Sequence, residues 1–327
     1  MRRREFFRVL GGAAAALPLA AAAQQPAMPV IGYLSFTSPQ ERPTLLAAFF
    51  KGLEQAGYVV GRNVAIQYRS ADGQSERLPA LATEFVNMRV AVIAATGGEA
   101  SARAAEKATS QIPIVFTVGA DPVEAGLVAA FNHPGGNATG VSLLAYELDA
   151  KRLQLLHELA PRALTIGVLA LTNSPSIART LSAMQVGAEA NGQRLVLLNA
   201  NSESDLEAAF ASLGPQGIGA MLITTSPYLE GRRTQIVGLA QRYAVPVLYP
   251  WRDYAAVGGL VSYGTSFTES YQQVGLYVGR VLKGEKPSDL PVVQATKSEL
   301  IVNLKTAKTL GLEMPTSILL RADEVIE

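Results

Sequence analysis

Ile31-Gly32-Tyr33-Leu34, followed by Ser38-Pro39, returns later in the chain as Ile166-Gly167-Val168-Leu169, followed by Ser174-Pro175. Two further segments return in the same order. Ala91-Val92-Ile93-Ala94-Ala95-Thr96-Gly97-Gly98 reappears as Ala220-Met221-Leu222-Ile223-Thr224-Thr225-Ser226-Pro227, and Ile112-Pro113-Ile114-Val115-Phe116 as Val245-Pro246-Val247-Leu248-Tyr249. Each match joins a short apolar run to a small polar loop. One match would be chance; three in order, offset by about 130 residues, describe two lobes of one design. Two such lobes leave a cleft between them, and a cleft is where a small molecule binds.

Outward from these anchors the chain alternates between strand and helix patterns. Apolar runs at 30–35, 64–68, 90–95 and 114–118 suit buried strands, and 165–170, 194–198, 219–223 and 245–249 repeat the series. Helical spacing separates them, at 43–56, 76–86, 99–108, 176–190, 203–213 and 229–242. Continuous apolar strands alternating with helices predict parallel sheets covered on both faces. The fold class is therefore α/β, with two doubly wound parallel-sheet lobes and a ligand cleft between them.

The connections set the expected boundaries. Pro134-Gly135-Gly136-Asn137-Ala138-Thr139-Gly140-Val141 reads as a turn-rich first crossing, ahead of a helix at 148–160. Gly258-Gly259 precedes a strand at 260–264 and reads as a return to the first lobe, followed by a helix at 268–283. Pro287–Pro291 loosens the chain before a strand at 299–303. Lobe 1 is thus expected at 28–142 plus 262–296, and lobe 2 at 143–261 plus 297–327. Several crossings make a hinge, with motion expected near 140–147, 255–262 and 290–299.

Residues 1–24 read as an export signal outside the fold. Arg2-Arg3-Arg4 form a positive start, an Ala/Gly-rich apolar stretch runs from Val9 to Ala22, and Ala21-Ala22-Ala23 fits a cleavage site before Gln24. The stretch is too short and too weakly apolar for a membrane span. Arg3-Arg4-Glu5-Phe6-Phe7 resembles a twin-arginine signal. With no cysteine, neither a lipid anchor at the cleavage site nor a disulfide framework can form. A periplasmic, soluble, unanchored protein is expected. Cleavage removes four arginines and one glutamate from 28 basic and 27 acidic residues, leaving 24 against 26, or −2. That balance excludes a nucleic-acid partner.

Catalytic signatures are missing. The two histidines, His133 beside a Pro-Gly turn and His157 near a helix end, have no neighbouring acid and nucleophile in a known arrangement. There is no G-x-S-x-G elbow and no P-loop. Gly217-Ile218-Gly219 lacks a third glycine and precedes its strand. No catalytic residue, metal site or cofactor is expected.

What remains are loops at the carboxyl ends of strands, where open α/β sheets bind ligands. Thr96-Gly97-Gly98 lets backbone approach a ligand and opens a helix whose free N–H groups suit an anion; a plain strand-to-helix turn has the same sequence. Its counterpart, Thr225-Ser226-Pro227-Tyr228, is also hydroxyl-rich. Ser35-Phe36-Thr37-Ser38 ends the first strand, with Asn173-Ser174 as counterpart. Gly119-Ala120-Asp121-Pro122 ends the fourth, where Asp121 fits either an ammonium partner or an ordinary turn. Tyr249-Pro250-Trp251-Arg252-Asp253-Tyr254 is its counterpart and holds the only tryptophan. It reads as a wall for an apolar or planar group with charges beside it, or as a helix start with an internal ion pair.

These pieces together resemble the ABC-transporter substrate-binding proteins of the periplasmic binding protein type 1 fold, and within them the tryptophan/tyrosine-type family. The resemblance rests on Ile31–Leu34, Gly61-Arg62-Asn63-Val64, Ile112–Phe116, Asp121-Pro122-Val123, Pro134–Gly140, and Gly258-Gly259-Leu260 with Tyr263-Gly264. It implies capture of an amino acid or related carboxylate, aromatic or branched, delivery to an ABC permease in the inner membrane, hinge closure, and no catalysis. A monomer is expected. On this reading Thr96, Gly97 and Gly98 hold a carboxylate, Asp121 or Asp253 an amine, and Phe36, Tyr228 and Trp251 an apolar side chain, with Gly119, Ser174, Thr225 and Ser226 completing the walls. Where a typical amino-acid site of the family has acidic or amide side chains after the seventh strand, this chain has Ser226-Pro227-Tyr228. A ligand-sensing module for a membrane receptor is the alternative from another class, and a periplasmic enzyme a third.

A reporter fused to residues 1–30 should be exported, and Arg3→Lys with Arg4→Lys should reduce that export. Reporter localisation in strains with and without the twin-arginine translocon checks the route.

Overall fold

The computed structural model describes residues 28–145, 148–173 and 177–327. The signal segment and Ser174 lie outside the described residues.

Thirteen strands are described. In the first sheet β1 (Val30–Ser35), β2 (Ala65–Ser70), β3 (Val92–Ala95), β4 (Ile114–Val118), β5 (Ala138–Ser142) and β11 (Val293–Gln294) lie in the order β11-β5-β4-β3-β1-β2. In the second, β6 (Thr165–Ala170), β7 (Arg194–Asn199), β8 (Ala220–Ile223), β9 (Val247–Tyr249), β10 (Val261–Thr265), β12 (Ser298–Asn303) and β13 (Glu324–Ile326) lie in the order β13-β12-β10-β9-β8-β6-β7. The first five strands of each sheet share one topology: β2-β1-β3-β4-β5 matches β7-β6-β8-β9-β10. The sequence repeat is a repeat of sheet order. All pairings within these two sets of five are parallel, while β12 runs antiparallel to β10.

Successive strand residues feed opposite faces, as the pleat requires. Ile31 and Tyr33 enter one core of the first lobe, and Leu34 another. The second sheet also separates two cores, one holding Ile166 and Val168, the other Leu169. Burial on both faces is why these strands are continuously apolar.

Two sequence expectations are corrected here. The segment read as a turn, Pro134–Val141, is a turn only at its start; Ala138–Ser142 is a fully buried strand paired on both sides. Gly140 lies there because a Cβ would stand 2.1 Å from the Phe116 carbonyl oxygen. The strand expected at 260–264 in the first lobe is instead β10, bonded to β9 and β12 in the second sheet. It is the counterpart of β5. With Ala138–Ser142 taken for a loop, a two-lobe repeat has no place for its partner in the second lobe.

The chain therefore passes between the sheets after β5, after β10 and between β11 and β12. After β5 it enters the helix Asp149–Leu159, which packs on β8 and β9. After β10 it enters the helix Phe267–Leu282, which packs on β3, β4, β5 and the helix Pro43–Gln55. The second crossing sits at 265–267 and not near 255–262. No helix among the described residues is long and apolar enough to cross a membrane.

A buried ion pair ties two crossings together. Arg152 and Asp149 are both fully buried, 2.5 Å apart. Arg152 Nε donates to the Tyr263 carbonyl (2.7 Å) and Nη1 to the Ala145 carbonyl (3.1 Å), next to the second and first crossings respectively. Burial opposes the charge on both groups. Arg152→Ala would strip buried Asp149 of its charge partner and the Tyr263 and Ala145 carbonyls of their donor, and should cost about 3–5 kcal/mol. Urea unfolding should show the Arg152→Ala, Asp149→Ala double variant losing less than the arginine variant alone.

Candidate functional site

The strand orders reverse beside β1 and β6, which opens a crevice at the carboxyl ends of the strands. On the first lobe β1 runs into Ser35-Phe36-Thr37-Ser38 and β3 into Thr96-Gly97-Gly98, all lining one cleft. Thr96 N–H donates to the Leu34 carbonyl, which keeps the two loops side by side. Gly97 is required by that contact: a Cβ would lie 2.5 Å from the Phe36 nitrogen and 2.0 Å from Ser101 Oγ. Gly98 has φ of 79° and precedes the helix Glu99–Ala108, whose first turn opens beside the cleft. Tyr271 hydroxyl donates to the Thr96 carbonyl at 3.0 Å. Thr117 and Gly119 at the end of β4, and Leu143 after β5, extend the wall.

The second lobe answers with Thr225, Ser226, Pro227, Glu230 and Trp251. The expected helix at 229–242 starts earlier and breaks: Pro227–Gly231 and Arg233–Arg242 flank Arg232. Ser226 caps it, accepting from the Tyr228 N–H at 3.2 Å, and Pro227 suits its first turn. This short helix meets the first lobe. A Cβ on Gly98 would be 3.1 Å from Pro227 Cγ, and one on Gly231 3.3 Å from Thr37 Cγ2.

Trp251 is 2% exposed and stacks on Phe267, ring centroids 4.0 Å apart. Phe267 begins the helix that packs on the first sheet, so this stack joins the lobes at the back of the cleft. Arg152 lies 5.9 Å from the Trp251 ring. Trp251 thus both lines the cleft and packs in the second-lobe core.

A charged group sits among these rings. Arg42, just before the helix Pro43–Gln55, reaches over the Phe267 ring at 5.0 Å. Its Nη2 lies 3.4 Å from Glu230 Oε1 and 3.9 Å from Asp253 Oδ2. Glu230 is 2% exposed. Burial pushes its carboxyl up to about 7; Arg42 and Arg233 oppose the shift and Asp253 adds to it. Burial also works against the charge of Arg42, but Glu230, Tyr271, Asp253 and Tyr33 outweigh it and hold the guanidinium above its ordinary value.

The cleft wall is rich in buried polar atoms without hydrogen-bond partners among the described residues. Ser35 Oγ, Arg42 Nε and Nη2, Thr117 Oγ1, Thr225 Oγ1 and both Glu230 carboxylate oxygens are all in this state. Buried polar atoms are ordinarily paired, so a concentration of unpaired ones around one cleft is an arrangement that a polar ligand would complete. Tyr33, Phe36, Trp251, Phe267 and Tyr271 supply aromatic surface beside them.

Of the residues singled out from sequence, Phe36, Thr96, Gly97, Gly98, Gly119, Thr225, Ser226 and Trp251 line this one cleft. Asp121 does not: its carboxylate accepts from the Val123 and Glu124 N–H groups, the ordinary turn role. Tyr228 lies outside the lining; it is drawn to Arg232, whose guanidinium sits 3.6 Å from its ring. Asp253 does not line the cleft; its Oδ2 lies 3.9 Å from Arg42 Nη2. Arg42, Glu230, Phe267, Tyr271 and Tyr33 were not read as site residues. One signal pointed to Glu230. The repeat that pairs Ala91 with Ala220 also pairs Ser101 with Glu230, and both are buried with unpaired side-chain oxygens.

The family model described as ABC transporter substrate binding protein matches residues 34–326. A tyrosine-binding protein of Clostridioides difficile is 29% identical over 276 residues, 84% of this chain and 79% of that protein. Among solved structures, a conserved domain protein from Vibrio cholerae superposes with a TM-score of 0.83 at 25% identity, covering 91% of this chain and 99% of the other. The ABC domain from Streptococcus pneumonia in complex with L-Trp gives 0.81 at 24% identity, and a ligand-free, open substrate binding protein from Clostridium difficile gives 0.65 at 27%. Both cover 91% of this chain and 99% of their own. The fold is the two-lobed, periplasmic binding protein type 1 arrangement expected from sequence.

Proposed function

The chain belongs to the ABC transporter substrate binding protein family, and we propose that it captures an amino acid, aromatic by preference, outside the inner membrane and delivers it to an ABC permease. The observation that carries this reading is the set of unpaired buried polar atoms contributed by both lobes to one aromatic-lined cleft. A ligand that satisfies them from both sides draws the lobes together. A free lobe surface leaves those groups to water, so ligand binding favours the closed form by its differential contacts.

The ligand's carboxylate goes to the Thr96-Gly97-Gly98 turn, where helix N–H groups and the helix dipole suit an anion. Its apolar part lies among Phe36, Trp251 and Phe267. The Arg42–Glu230 pair and the approach of Gly98 to Pro227 and of Gly231 to Thr37, too close to leave free room for a Cβ, fit a closed arrangement. The greater similarity to the L-Trp complex than to the open, ligand-free relative supports the same conclusion. The tyrosine-binding and L-Trp-bound relatives favour an aromatic amino acid over a branched one. Motion passes through the three crossings, after β5 at 143–145, at 265–267 and at 295–298. The arginine-rich, Ala/Gly-rich start of the chain supports export to the periplasm.

Thermal-shift measurements against the twenty amino acids, with aromatic acids and nucleosides as controls, test this. An aromatic amino acid at 100 times its dissociation constant should add about 2.7 kcal/mol of stability. Stabilisation by nucleosides with none by any amino acid would overturn the reading.

A further inference from the structure

We infer that the five-residue helix Pro227–Gly231 latches the second lobe onto the first, with Tyr228 as the side chain that seats it and Arg232 as the residue that positions Tyr228. Tyr228 and Arg232 then set how long a ligand is held without touching it. This rests on the lobe-closing reading above and names the contact that times it.

The helix is just over one turn long. Leu229 is fully buried in the second-lobe core and anchors it there. The other four residues meet the first lobe. Pro227 stands against Gly98, Glu230 against Arg42 and Gly231 against Thr37. Tyr228 packs on the cores of both lobes, the first-lobe one being the core that holds Leu34, Phe36 and Ala102. Gly98 and Pro227 are partners in the sequence repeat, so the two lobes meet here at equivalent points.

The break after the helix is what the second lobe adds to the repeat. In the first lobe the equivalent segment opens the unbroken ten-residue helix Glu99–Ala108. In the second, the helix stops at Arg232, whose φ of −107° and ψ of 14° lie outside the helical range, and a new helix starts at Arg233. Arg232 places its guanidinium 3.6 Å from the centroid of the Tyr228 ring, and its Nη1 donates to the Tyr228 carbonyl at 3.5 Å. A cation over a ring face attracts it, so Arg232 fixes the ring and leaves its remaining surface to the first-lobe core.

Neither Tyr228 nor Arg232 lines the cleft. The contact of Tyr228 with the first lobe exists only while the lobes are together. It therefore slows opening and leaves capture by the open form unaltered, the usual division when affinity is tuned through release. Its contribution is the same whatever sits in the cleft. A ligand wall would behave otherwise, because its loss would weigh differently on each side chain bound.

Rapid-filtration binding and chase with radiolabelled L-tyrosine and L-phenylalanine give the rates of capture and release. Tyr228→Ala should raise the release rate about tenfold for both ligands, the scale of uncovering part of an aromatic face, with the capture rate unchanged. Tyr228→Phe keeps the ring and should keep most of the lifetime. Arg232→Met removes the cation alone; it should fall between the two, and it carries the test if the alanine variant does not fold. An unchanged release rate, a rise that differs between the two ligands, or a loss that appears in capture instead would overturn the inference while the amino-acid reading stands. If no amino acid binds but another solute from the thermal-shift screen does, the amino-acid reading falls, and the same rates measured with that solute still decide the latch.

Discussion

Neither lobe is completed by a continuous stretch of chain, and the rest of the structure follows from that constraint. The helix after β5 covers the second sheet, the helix after β10 covers the first, and β11 and β12 divide again between them. The cores are thereby tied to each other through three short segments, with Arg152 bonded to carbonyls beside two of them. The carboxyl ends of both sheets face one cleft, and Phe267, the first residue after a crossing, is placed to stack on Trp251. The parts that hold the lobes together are therefore the parts that form the back of the cleft.

The lobes were legible because parallel strands buried on both faces have to be continuously apolar. Ile31–Leu34 and Ile166–Leu169 announce that environment without any alignment. The cleft loops were legible for a related reason. Thr96-Gly97-Gly98 needs small residues where β1 and β3 run close together, and a Cβ on Gly97 would strike Phe36. What escaped was a strand that looks like a turn. Ala138-Thr139-Gly140-Val141-Ser142 is buried but only weakly apolar, and the adjoining Pro134-Gly135-Gly136 spreads its turn character over the whole segment. The misplacement of β10 followed from that single loss.

The charged part of the site left only one trace, the repeat offset that sets Glu230 opposite Ser101. Charged side chains are seldom buried, so Arg42 reads as the lead-in to a helix and Glu230 as a solvent-facing helical position. Only the assembled cleft brings them within 3.4 Å of each other, from opposite lobes. The Tyr228 aromatic ring, by contrast, reads as a ligand wall but is taken up by Arg232. Local patterns identify loops that can hold a ligand; which side chains turn inward depends on neighbours far away in sequence.

A small ligand that draws the lobes together acts on the back of the cleft, where Trp251 meets Phe267. Trp251 is the chain's only tryptophan, and its stack on Phe267 spans the lobes, so its emission reports that junction alone. Titration with a ligand that does not itself fluoresce in the tryptophan band, such as L-tyrosine excited at the red edge, is the most direct measurement. A saturable change in Trp251 emission is expected, one that follows binding measured by calorimetry and is lost in Phe267→Ala. Emission that stays constant through a titration in which calorimetry records full occupancy would contradict it.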